Sequence, residues 1–147
     1  MKQVYQRTHQ DCGVAAVAMV AGVSYKIARK AFKNGRPDEK KNVGTTTLDL
    51  YYALKHLRIK SRWKLTQFRT QTPYDLESHA ILKVSRSKKQ NWHWVAYDAK
   101  QQKIVDPNRN ARWKRLEPRG KYNKTCRITS YLKIMETKNG KKPHRSN

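Results

Sequence analysis

The sequence predicts an α+β fold in which N-terminal helices pack on an antiparallel sheet. Three observations predict it. Residues 11–57 carry apolar side chains at helical spacing between capping and stopping residues. From about residue 78 the period changes to the alternation of strands, with turn-forming stretches between the apolar runs. The helices come first and the strands after, unlike the alternation of βαβ units. At 147 residues the chain has the length of one domain with a sizeable core.

The elements follow in order. Residues 1–10 are polar, with Val4 and Tyr5 as expected anchors. Asp11 is a good N-cap, and Cys12 to Ala21 is an almost purely apolar, alanine-rich run stopped by Gly22. A helix this apolar is buried. Ser24 caps a second helix carrying Ile27, Ala28, Ala31 and Phe32, and residues 33–45 read as a surface loop. Thr46 or Thr47 caps a third helix whose expected buried face is Leu48, Tyr51, Leu54 with Ala53, and Leu57. Ile59 to Leu65 reads as a basic strand. Ala80–Val84, Asn91–Tyr97 and Lys103–Val105 read as an antiparallel meander, with turns at 85–90 and 98–102. Arg127–Met135 alternates weakly and is a further candidate strand. One domain is expected over 1–137, followed by a basic, disordered tail over 138–147.

Charge is the second signal. The chain has 34 Lys and Arg against 10 Asp and Glu, a net charge of +24. Such a surface attracts polyanions, whether nucleic acid or an acidic protein. Arg58, Lys60, Arg62 and Lys64 share one face if 59–65 is a strand. Arg112, Lys114 and Arg115 lie in a second basic stretch with Trp113 nearby. Basic residues among aromatics suit a nucleic-acid groove or an acidic peptide, and non-specific nucleic acid is an expected possible partner. No base-reading motif appears. The two cysteines make no disulfide framework, and the N-terminus carries no charged-then-apolar signal. The expectation is a soluble cytoplasmic protein with no membrane insertion, in the host cytoplasm if a phage or mobile element encodes it.

Cys12 is the candidate nucleophile. A helix N-terminus presents free N–H groups and partial positive charge, which favour a thiolate. A lone cysteine in an apolar helix is more often core, so the assignment needs partners. The chain offers Gln6, His93 and Asp106. Alternation puts His93, Val95 and Tyr97 on one face and Trp92, Trp94 and Ala96 on the other. Asp106 ends the next strand across a tight turn, within hairpin reach of His93. Gln10 is an alternative to Gln6. His56 and His79 are expected to be structural or exposed, and Cys126 inert. Cys12 with His9 lacks a second ligand pair, so no metal site is expected, and no Gly-rich phosphate loop is present.

These residues resemble a family. Gln6, followed after five residues by Cys12-Gly13 and then Ala15, with Asp11 before the cysteine, resembles the start of the double-glycine, bacteriocin-processing peptidases. These are papain-like cysteine peptidases. Gly44 to Leu48 with Tyr51 to Leu57, then Ala80–Val84, His93–Tyr97 and Ile104–Pro107, are similar to later pieces of that family in the same order. The similarity covers about residues 3–107 and leaves a basic extension over 108–137. It implies a papain-like fold, with Cys12 as nucleophile, His93 as base and acid, Asp106 as its orienter, and Gln6 with the Cys12 N–H as oxyanion donors. It implies a peptide or protein substrate, cleavage after Gly-Gly, and no cofactor. Family members are usually joined to a membrane exporter, and no such segment is read here.

Two rivals stand beside the peptidase. The same residues serve a deamidase, acyl transferase or isopeptidase acting on a host protein. Alternatively the fold is kept without catalysis, as a basic nucleic-acid-binding or inhibitor protein.

Overall fold

The computed structural model describes residues 1–32, 44–86, 92–109 and 126–135. The basic residues Arg112, Lys114 and Arg115 and the tail 138–147 lie outside the described residues, as does most of the 33–45 loop. Among the described residues three α-helices come first: α1 (Cys12–Ala21), α2 (Tyr25–Ala31) and α3 (Thr47–His56). Five strands follow: β1 (Thr66–Gln67), β2 (Ala80–Arg86), β3 (Trp92–Asp98), β4 (Lys103–Val105) and β5 (Cys126–Lys133). They form one antiparallel sheet in the order β1-β5-β2-β3-β4. The α+β architecture is therefore as expected, and 126–133 is a strand. Its place in the middle of the sheet, between β1 and β2, was not readable from its weak alternation.

The helix ends follow local chemistry. Every residue of α1 is buried. Gly22 adopts the left-handed conformation with φ of 68°, and Val23 N–H bonds Ala18 O at 3.1 Å. That closes the last turn in a way a side chain would strain. Ser24 Oγ accepts Ile27 N–H, and Thr46, not Thr47, caps α3 in a reciprocal box with Asp49. Asp11 is the N-cap residue of α1, and its carbonyl accepts Ala15 N–H at 3.2 Å, but its side chain makes no capping bond. Its carboxylate turns back to accept the N–H of Arg7 and Thr8 and the hydroxyl of Tyr25.

Two other expectations fail. The buried face of α3 is Leu50, Ala53 and Leu54, continued by Leu57, while Leu48 is 49% exposed. The stretch 59–65 is not a strand. Arg58 has φ of 61°, and Ile59 N–H bonds Leu54 O at 2.9 Å, closing α3. Ser61 makes only an isolated bridge to Ile134. Arg58, Lys60, Arg62 and Lys64 are exposed, but no continuous ladder gathers them on one face.

The sheet carries a core on each side. Trp94, Ala96, Ile81 and Leu132 pack with the helices, and Trp92 joins them at the margin. Leu82, Val84, Val95, Tyr97, Ile128 and Tyr131 form the second cluster, against which Phe68, Leu76 and Ile104 pack. Strand alternation thus sorts β3 as predicted. Val4 packs against the first cluster as an anchor, but Tyr5 is 40% exposed with the Arg109 guanidinium 4.4 Å over its ring.

Candidate active site

Cys12 opens α1, which leans on β3, and is 5% exposed. The N–H of Trp94 approaches its Sγ at 3.5 Å. His93 is the second residue of β3. Continuing the β3–β4 register one step beyond Ala96↔Val105 sets Asp106 opposite Val95, diagonal to His93 on the same face. There His93 Nε2–H donates to Asp106 Oδ1 at 2.8 Å. Asp106 engages only Nε2, and the Cys12 side chain acts on the same ring. Alternation alone would send His93 towards the second core, beside Val84 and Val95. It meets the thiol because both residues sit at the starts of their elements.

The electrostatics follow from that arrangement. Burial is the largest single influence on His93 and disfavours its charge. The hydrogen bonds to Asp106 and to Cys12, and the charges of both, together outweigh it and push the imidazole up to about 9. Asp106 Oδ1 also accepts Asn108 N–H at 2.8 Å, which fixes the carboxylate from its other side. The N-terminal segment braces the same turn. Gln3 Nε2 donates to Asp106 O at 2.8 Å, and Gln6 N–H to Pro107 O at 2.9 Å.

The structure brings Cys12, His93 and Asp106 together. Gln6 stands differently from its expected role. Its Nε2 donates to Thr8 O at 2.8 Å within the loop, and its Oε1 is buried without a partner among the described residues. The loop 6–11 is held from below by Asp11, whose partner Tyr25 also accepts from Arg29 at 3.0 Å and lies under the Arg7 guanidinium. His79 is remote from this group: its Nδ1 accepts Ala99 N–H at 3.1 Å beside Asp98.

Sequence reasoning missed Thr45. It is wholly buried, and its carbonyl accepts the indole N–H groups of both Trp92 and Trp94. Two signals pointed there. Gly13 is a glycine in the first turn of an otherwise alanine-rich helix, which costs about 1 kcal/mol unless something needs the space. Two tryptophans on one strand face need acceptors for their N–H groups.

The family comparison covers the part of the chain that holds these residues. The model of the Peptidase C39 family matches residues 1–118. No curated protein and no solved structure matches the chain. The match spans α1 with Cys12, the strand of His93 and the turn of Asp106. The chain belongs to the Peptidase C39 family.

Proposed function

We propose that this cysteine peptidase hydrolyses a peptide bond through a thioester on Cys12, with His93 as proton carrier and Asp106 as its orienter. The observation that carries the reading is the convergence of the Cys12 thiol, the His93 ring and the Asp106 carboxylate, the last pair at 2.8 Å. An imidazole held near 9 is a base strong enough to take the proton of a neighbouring thiol as that thiol attacks. The thiolate attacks the scissile carbonyl carbon. The oxyanion meets the Cys12 N–H, one of the free donors of the first turn of α1. Gln6 supplies the second donor. Its Nε2 carries two hydrogens and Thr8 O takes one, leaving the other for an oxyanion. His93 gives its proton to the leaving amine, then draws one from water as that water opens the thioester.

The substrate reading is an acidic peptide. Cations rest on aromatic rings beside the site segments: Arg7 over Tyr25, Lys83 over Trp92, and Arg109 over Tyr5. Asp11, Asp98 and Asp106 point inward to partners of their own and do not stand among these surface cations. The test is mass spectrometry of the acylated enzyme, quenched in acid, with acidic and neutral peptides containing Gly-Gly. The expected result is an acyl group on Cys12 whose mass corresponds to the N-terminal fragment, and none in Cys12→Ala. An intact protein carrying a deamidated glutamine would replace the peptidase reading with the deamidase. Absence of any adduct, with Cys12 and Cys126 alkylated equally slowly by iodoacetamide, would overturn the nucleophile.

A further inference from the structure

Thr45 touches both halves of the site. On one side its carbonyl takes the indole N–H of Trp92 at 3.1 Å and of Trp94 at 3.0 Å, the two residues that flank His93. A carbonyl has two lone pairs, so these donors saturate it. On the other side its hydroxyl presses on Gly13, the residue after Cys12. A Cβ on Gly13 would lie 2.0 Å from Thr45 Oγ1 and 3.1 Å from Thr45 Cβ. The hydroxyl is buried and has no hydrogen-bond partner among the described residues. A buried hydroxyl left unpaired costs about 1–3 kcal/mol, so packing alone would not favour it over a methyl group. Oxygen is, however, the smaller group at a point of very close approach. Thr45 itself is held by the neighbouring Thr46, which caps α3.

We propose that Thr45 is a positioning residue: the spacer, fixed by the α3 cap, that sets the separation of the Cys12 thiol from the His93 ring. The proposal rests on the peptidase reading for the roles of Cys12 and His93. Its test does not need a substrate, so the two fail separately. Supporting geometry comes from Trp94, which bonds Thr45 through its indole and Cys12 Sγ through its backbone N–H.

The experiment measures Cys12 alkylation by iodoacetamide from pH 5 to 10 in the full chain carrying Cys126→Ser, beside thermal unfolding of each variant. Gly13→Ala drives the helix and Thr45 apart. It should slow alkylation at pH 7 about tenfold and move the rise of the profile about one pH unit higher, because the thiol loses the imidazolium that favours its thiolate. Gly13→Ala with Thr45→Ala should recover much of the rate, a non-additivity expected only for residues in contact. Thr45→Ser alone, which keeps the oxygen, should leave the parent profile unchanged. If Gly13→Ala does not fold, Thr45→Ala and Trp92→Phe carry the test, each loosening one side of the spacer. Profiles that superimpose on the parent in the other folded variants, with only the unfolding temperature lowered, would make Thr45 a packing residue and overturn the proposal. Strictly additive losses would do the same.

Discussion

Replacing Asp106 by asparagine tests the electrostatic account of the site. His93 titrates near 6.5 when unfolded and at about 9 in the folded protein. At about 1.4 kcal/mol per pH unit, that gap corresponds to about 3 kcal/mol favouring the folded imidazolium. A group whose affinity for protons is raised by folding stabilises fully below its unfolded value. That stability is then lost as pH rises through the folded value. The window is therefore about pH 6.5 to 9, with stability falling across it. Burial acts against the charge, so the increase depends on Asp106 and Cys12. A neighbouring carboxylate is worth about 1–3 pH units. Asp106→Asn should bring His93 down to about 6–8 and remove about 40% or more of the pH-dependent stability. The assay is NMR titration of the His93 ring Cε1–H, assigned with His93→Gln, beside urea unfolding at pH 6 and pH 10. A wild-type His93 titrating near 6.5 would refute the reasoning. So would an Asp106→Asn protein whose His93 still titrated near 9.

Three further outcomes follow from the packing. Leu50 is fully buried and Leu48 is half exposed, so Leu50→Ala should cost about 2–5 kcal/mol in urea unfolding and Leu48→Ala less than about 0.5. Arg58 holds a left-handed backbone at the end of α3, so Arg58→Gly should stabilise the protein by up to about 1 kcal/mol, seen as a higher unfolding temperature. Tyr25→Phe removes the hydroxyl that Asp11 and Arg29 share. It should cost about 1–3 kcal/mol and raise amide exchange in residues 6–11, because the buried carboxylate loses a donor.

The local parts of this protein were legible in the chain itself. Gly22 as a helix stop, Ser24 as a cap and the cap at Thr46 are decided within four residues, by backbone groups that find partners nearby. The alternation of Trp92 to Tyr97 is likewise intrinsic to a strand between two apolar layers. The pairing of His93 with Asp106 could be reached because one tight turn joins their strands. There Asp98 Oδ1 accepts the N–H of Lys100 and Gln101.

What the chain alone did not decide depends on distant partners. Helix α3 carries apolar residues in two phases, Leu48 with Tyr51 and Tyr52, and Leu50 with Ala53, Leu54 and Leu57. Periodicity reveals a face but not which phase docks, and packing against α1 and α2 selected the second. Asp11 looked like a cap because its position is right. It turned back because Tyr25, fourteen residues on, presents a donor to its carboxylate in a buried setting. Strand β5 entered the sheet centre because hydrogen bonds along β2 hold it there, and a weakly alternating stretch of sequence does not name its neighbour. Thr45 is the extreme case. Its environment is made of residues 32 positions before it and 47 and 49 after it. Only the folded chain brings Gly13, Trp92 and Trp94 to one side chain.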